Sequence, residues 1–230
     1  MNKLIVANYK MNGNADFYKK VSQKVNSLKL KDTVVLCPPF VYIPFMKMKN
    51  KSLFLGCQDI ANEQSTKATG QTAAYMLKEF GVSYAIVGHS ERRAVYENNE
   101  QVANKVGICV SNGIVPIVCV GEASQTSKLD VLKEQVRSAV SKAMKGEIVF
   151  AYEPIWAIGS GVVPTIEKIN FAIDLIKSTL SELGLECKVL YGGSVNVANY
   201  KQLLTSNADG FLLGGVSNKL DDFISILKGE

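Results

Sequence analysis

Eight short, largely apolar runs, separated by segments with helical periodicity, constrain this chain more than any other feature. They are Leu4 to Asn8, Thr33 to Cys37, Leu53 to Cys57, Tyr84 to Gly88, Val115 to Val120, Ile148 to Tyr152, Lys188 to Tyr191 and Asp209 to Leu213. The runs are continuous rather than alternating, as strands buried on both faces of a parallel sheet require. Between them, apolar residues recur every three or four positions. Examples are Phe17, Val21, Val25 and Leu28; Leu132, Val136, Val140 and Met144; and Ile169, Ile173, Ile176 and Leu180. Strand then helix repeats through 230 residues with no Pro/Gly/Ser-rich linker. The expected fold is α/β: a single closed (β/α)₈ barrel of parallel strands, one domain over residues 1–230, in an architecture that usually takes about 250 residues. An open doubly wound sheet is the alternative, but neither GxGxxG nor GxxxxGK[ST] follows the first strand.

A chain that is 47% hydrophobic and 20% charged suits a globular protein with a substantial core. Its net charge of +5, without a basic tail, gives no indication of nucleic acid and suits a small anionic substrate. Five cysteines, odd in number and without a CxxC pair, read as reduced core thiols. The apolar stretch Leu4-Ile-Val-Ala7 is too short for a secretory signal, and no run is long enough to span a membrane. The expected location is cytoplasmic, with no membrane partner.

In such a barrel the carboxyl ends of the strands face the reaction chamber. The first run ends in Asn8-Tyr-Lys10-Met-Asn12, the fourth in His89-Ser90-Glu91, and the sixth in Tyr152-Glu153-Pro-Ile-Trp156. Each residue has an ordinary explanation alone: a solvated lysine, a satisfied histidine, a capping carboxylate, a core tryptophan. A lysine, the chain's one histidine and a glutamate converging on one rim from separate strands are much harder to explain that way. His89 stands where a strand gives way to a helix, so the positive end of the helix dipole favours its neutral ring.

Two glycine-rich stretches lie opposite, Tyr191-Gly192-Gly193-Ser194-Val195 and Leu213-Gly214-Gly215-Val216-Ser217. Without side chains in the way, their main-chain N–H groups can approach an oxyanion, and the loops after strands seven and eight are the usual place for a phosphate. The segment Pro154-Ile155-Trp156-Ala157-Ile158-Gly159 directly follows Glu153. With proline at one end, glycines beyond and an apolar centre, it is expected to be a lid.

With those residues assembled, the chain resembles the triosephosphate isomerases. The likeness runs from Ala7-Asn-Tyr-Lys-Met-Asn12 through Val87-Gly-His-Ser-Glu-Arg-Arg93, Cys119-Val-Gly-Glu122 and Ala151-Tyr-Glu-Pro-Ile-Trp-Ala-Ile-Gly-Ser-Gly161. It continues to Tyr191-Gly-Gly-Ser-Val195 and Asp209-Gly-Phe-Leu-Leu-Gly-Gly215, and so spans essentially the whole chain. It implies a TIM barrel that interconverts dihydroxyacetone phosphate and D-glyceraldehyde 3-phosphate through an enediolate, a step of glycolysis and gluconeogenesis. It implies Glu153 as base, His89 as neutral electrophile, Lys10 as the cation that steadies developing charge, and Asn8 beside the substrate oxygen. Main-chain groups of Gly159, Ser194, Gly214 and Gly215 would hold the phosphate, with Leu212 nearby, while Ser90 and Glu91 would support the catalytic groups. No metal or organic cofactor is called for.

The resemblance also implies a homodimer in which the loop carrying Thr69 reaches its partner. Departures accompany it: Tyr9 stands where the family has tryptophan, Val162 where the lid commonly ends in lysine, and Gln71 where a glutamate would pair with Arg92 across the interface. The stretch after Glu122 is shorter than usual. Two other functions are compatible with parts of the pattern. A phosphate-binding aldolase or epimerase is one, although a Schiff-base aldolase needs a lysine where Glu153 stands. A catalytically silent relative acting as a binding protein is the other, although it has no need to keep Lys10, His89 and Glu153.

Overall fold

The computed structural model describes residues 2–128, 130–143 and 145–230. In chain order the elements are β1 (Leu4–Asn8), α1 (Ala15–Asn26), β2 (Thr33–Cys37), a 3₁₀ segment (Phe40–Phe45), β3 (Leu53–Cys57) and α2 (Ala74–Glu79). Then come β4 (Val82–Val87), α3 (Ser90–Arg93), α4 (Asn99–Ser111), β5 (Val115–Val120), α5 (Asp130–Val140), β6 (Val149–Tyr152) and a 3₁₀ turn (Ile155–Ala157). Last are α6 (Ile166–Glu182), β7 (Lys188–Tyr191), α7 (Val197–Leu203), β8 (Gly210–Leu213), a 3₁₀ turn (Gly215–Asn218) and α8 (Leu220–Lys228). The strands form a closed barrel in sequence order, every neighbouring pair parallel. The expected (β/α)₈ architecture is thus the observed one.

Period-two alternation explains how each strand is buried on both faces. Leu4, Val6, Val35, Cys37, Ile86, Ile117, Cys119, Val149, Ala151, Leu190 and Leu212 pack with one another inside the barrel. Their strand neighbours, such as Ile5, Ala7, Leu36, Val87, Val118 and Phe150, pack outward against the helices. Closure occurs where β8 meets β1, and a Cβ on Gly210 would run into the main chain of Leu4. Glycine at that seam lets the first and last strands approach closely.

Some bounds differ from the sequence reading, with β6 and β8 each starting one residue later than expected. The crossover after β2 is a 3₁₀ segment containing Pro44, whose ring and missing N–H disfavour an α-helix. β4 starts earlier, at Val82, where its register with β3 shifts between Leu55 and Gly56. It also stops before Gly88, whose φ of 67° turns the chain into α3. The helical periodicity read over Leu132, Val136 and Val140 is α5, whereas Met144 lies outside the described residues. Helices leaving the rim begin on side-chain caps: Asn14 on α1, Asn98 with Gln101 on α4, Thr165 on α6, and Asn196 with Asn199 on α7.

Candidate active site

At the carboxyl end of the barrel a cavity of about 490 Å³ is lined by Asn8, Lys10, His89, Glu153, Ile158, Gly159, Gly192, Ser194, Leu212, Gly214 and Gly215, among others. Of the residues singled out by sequence, this cavity unites Asn8, Lys10, His89 and Glu153 with both glycine-rich loops and with Ile158 and Gly159, whereas Ser90, Glu91 and residues 154–157 do not line it. A larger groove, of about 700 Å³, runs along α1 and the segment after Pro44, and none of the candidate residues lines it.

Glu153 follows the last residue of β6 and is 3% exposed. Its main chain is locked by Glu153 N–H donating to Val120 O at 2.8 Å. Two glycines make room for it: a Cβ on Gly121 would collide with its carbonyl, and one on Gly192 would lie 2.7 Å from its Cγ. Its Oε1 is 3.4 Å from His89 Nε2, while Oε2 is buried with no hydrogen-bond partner among the described residues. Beside it, burial and then the Glu153 carboxylate push the Cys119 thiol well above its ordinary range, which leaves that cysteine un-ionised.

His89 is the N-cap of α3, and its Nδ1 accepts the Glu91 main-chain N–H at 3.2 Å. A ring nitrogen that accepts carries no proton, so a neutral His89 holds its one proton on Nε2, facing Glu153 and the cavity. Glu91 Oε2 lies 3.7 Å from the same Nδ1, too far for a hydrogen bond to an atom already engaged. The other oxygen of Glu91 receives Lys10 Nζ at 2.6 Å. Ser90 opens α3, and its carbonyl accepts Ala94 N–H.

Lys10 is the one described non-glycine residue with positive φ, at 51°. Such a backbone costs free energy and persists only when its surroundings impose it. Here Asn8 Oδ1 accepts Lys10 N–H at 3.0 Å, and Gln58 Nε2 donates to Lys10 O at 2.9 Å and to Cys37 O at 2.9 Å. Asn8 thus shapes the loop that delivers the lysine.

Behind His89 stands a buried charge network. Arg92 reaches Asp59 at 2.7 Å and Glu97 at 2.5 Å, and Lys105 bridges the same two carboxylates at 2.5 and 2.6 Å. Glu97 also accepts Gly88 N–H at 3.1 Å, one residue before His89. Burial pushes the Glu97 carboxyl up, but hydrogen bonds from Lys105 and Arg92 outweigh it and hold the group below its ordinary range. For Asp59 burial outweighs Lys105, and its carboxyl is raised. Arg92, which the sequence left without an interfacial partner, is therefore paired within its own chain.

Across the cavity, chemistry passes from side chains to main chain. Gly214 and Gly215 line the cavity where a 3₁₀ turn begins. Ser194 donates through its hydroxyl to Ala157 O at 2.7 Å, joining the loop after β7 to the segment after Glu153. The segment expected to be a lid forms a 3₁₀ turn at Ile155–Ala157, with Pro154 and Ala157 buried, Ile155 exposed and Gly159 at φ 66°. Trp156 donates its indole N–H to Glu122 Oε1 at 2.9 Å, an oxygen that also accepts Tyr152 OH at 3.0 Å. Burial and then the Glu122 carboxylate push the Tyr152 phenol far up, so it remains a donor.

Gln58, Glu97, Lys105 and Glu122 belong to this site's framework but were not candidates by sequence. Only Glu122 had a visible signal, at the end of the Cys119-Val-Gly-Glu122 string.

Comparison with known proteins gives a consistent result. The triosephosphate isomerase family model matches residues 3–230. A triosephosphate isomerase of Orientia tsutsugamushi (strain Ikeda) is 36% identical over 244 residues, covering 99% of this chain and 98% of the relative. That of Ehrlichia chaffeensis is 37% identical, with 100% and 97% covered, and that of Wolbachia pipientis wMel 38%, with 99% and 94% covered.

Proposed function

Because the chain belongs to the triosephosphate isomerase family and interconverts dihydroxyacetone phosphate and D-glyceraldehyde 3-phosphate, we propose that Glu153 is the base of its proton transfer and His89 the neutral electrophile. The observation that carries this assignment is the Glu153 carboxylate 3.4 Å from His89 Nε2, with His89 Nδ1 already accepting from Glu91 N–H. A glutamate base beside a neutral histidine under a closing lid is the pairing for which this family is itself the standard example, so the site adds an instance rather than a new principle.

Glu153 removes a proton from the carbon next to the substrate carbonyl and returns it to the neighbouring carbon. The charge that builds on oxygen meets the Nε2–H of His89, the ammonium of Lys10 and the amide of Asn8. These groups act in a cavity shielded from water, where such interactions are strong. Main-chain N–H groups at Gly159, Ser194, Gly214 and Gly215 hold the phosphate, with Leu212 beneath. Ser90 and Glu91 steady His89 and Lys10. The lid at residues 154–159 keeps the intermediate from losing phosphate.

A coupled assay in each direction is the direct test. Isomerisation of both triose phosphates by clean, folded protein is expected, and its complete absence would favour a silent binding protein.

We further propose a homodimer built on the loop carrying Thr69. Thr69 and Gln71 are exposed, as are the large apolar residues Met11, Val41, Val95 and Tyr96 on the same end of the barrel, and apolar surface of that kind marks interfaces. With Gln71 neutral and Arg92 paired internally, the dimer should be insensitive to salt. Marked dissociation at high salt in sedimentation would count against it. The odd, mostly buried cysteines suit a cytoplasmic location, and among the described residues no helix is long and apolar enough to cross a membrane.

A further inference from the structure

The lid's tryptophan is gripped twice. Its indole N–H is held by Glu122, as described. Its ring face is covered by Lys168, from the first turn of α6, whose Nζ lies 4.6 Å from the ring centroid. That ammonium also donates to Gln125 O at 3.4 Å, on the loop that follows Glu122. Both Trp156 and Lys168 are half-buried, so the cation is partly stripped of water where it meets the ring, and cation–π attraction is then stronger than at an open surface.

The geometry points to Lys168 as a positioning residue for the lid. Trp156 is the second residue after Pro154, and the next residue, Ala157, is tied through its carbonyl to Ser194. With the indole edge on Glu122, its face under Lys168 and Ala157 on Ser194, the arm 154–157 is held at three points. Ile158, Gly159 and Gly161 line the cavity beyond it, and a Cβ on either glycine would meet nothing within 4 Å. The lid is therefore a fixed arm with a free tip. Lys168 sets how firmly the arm is fixed, and through it how often the tip covers the substrate. At the tip's far end the chain carries Val162, which is exposed. Valine has no charge to offer a partner there, so the cation that steadies this lid comes from α6.

This inference rests on the isomerase reading for its kinetic consequence, but not for its structural one. Trp156 is the chain's only tryptophan, so its fluorescence reports the grip whether or not the protein turns over. In Lys168→Met, which keeps the aliphatic stem and removes the charge, acrylamide should quench Trp156 more readily. Affinity for a phosphorylated carboxylate that mimics the enediolate should fall about two- to fivefold, the size of one exposed-to-partly-buried cation–π contact. Lys168→Arg should restore both, because guanidinium also stacks on indole. Unchanged quenching in Lys168→Met would overturn the proposal. So would weakened binding without a change at Trp156, or weakened binding that Arg fails to rescue. Loss of turnover in every variant together with wild-type protein would instead bear on the isomerase reading, leaving the quenching result to decide the grip.

Discussion

The two sides of the cavity are built from different material. On the side of β1, β4 and β6, Lys10, His89 and Glu153 present charged or polar side chains, Lys10 held by the Glu91 carboxylate and His89 by the Glu91 main-chain N–H. On the side of β7 and β8, Gly192, Gly214 and Gly215 carry no side chain at all, and at Gly192 a Cβ would run into Glu153. A side-chain site gains strong, directed chemistry but must desolvate its charges and support them from behind. A main-chain site needs no charge of its own, yet any added atom can spoil it.

If that division is right, the two sides should fail differently. The largest loss should follow Glu153→Gln: a factor on the order of 10² to 10⁴ or more in turnover, with an unaltered melting temperature. Near-native turnover in this variant would remove Glu153 from its role. Next, Glu97→Gln should cost about 3 kcal/mol of stability, because it leaves Lys105 and Arg92 with only Asp59 to share. The same substitution has a pH signature. A carboxyl held below its ordinary range in the folded state binds protons more readily when unfolded. Its stabilisation is therefore present above the unfolded value and is lost as pH falls through the folded one. Wild-type melting should decline with acid more steeply than that of Glu97→Gln, and equal slopes would show that Glu97 is not held down.

On the glycine side, Gly192→Ala puts a methyl 2.7 Å from Glu153 Cγ, so the base must move. Displacement of a reacting group by about 1 Å costs roughly 10²-fold, and the loss should appear in kcat with little change in KM. A change in KM alone would mean that Gly192 serves the phosphate rather than the base. The smallest effect belongs to Ser194→Ala, which removes one neutral hydrogen bond to the lid. About 1 kcal/mol, or some fivefold, should be read chiefly as weaker binding of the enediolate mimic.

Sequence reading recovered the strands and the rim because both are written locally. A buried parallel strand is a continuous apolar run, and the residues that end it are by that fact at the rim. The polar framework was not legible, since its partners meet only after folding: Asp59 and Lys105 are 46 residues apart, and Trp156 and Glu122 are 34 apart. The left-handed backbone of Lys10 was legible only in half, since Asn8 supports it from two residues before but Gln58 from 48 residues away. Pro44, within the β2 crossover, replaces the helix of the general strand–helix repeat with a 3₁₀ segment. A helix broken by one ring still buries Ile43 much as a longer one would.

The seam between β1 and β8 bears on how the molecule is made. Lys3 and Ala208, which touch there, are 205 residues apart, so closing the barrel at this seam closes a loop of nearly the whole chain and its entropy is recovered late. Until residues 210–213 arrive, the sheet has two bare edges, each an apolar parallel strand open to a second chain. Once they dock, it has none. The hazard of aggregation therefore belongs to the growing polypeptide on the ribosome and ends with the addition of its eighth strand.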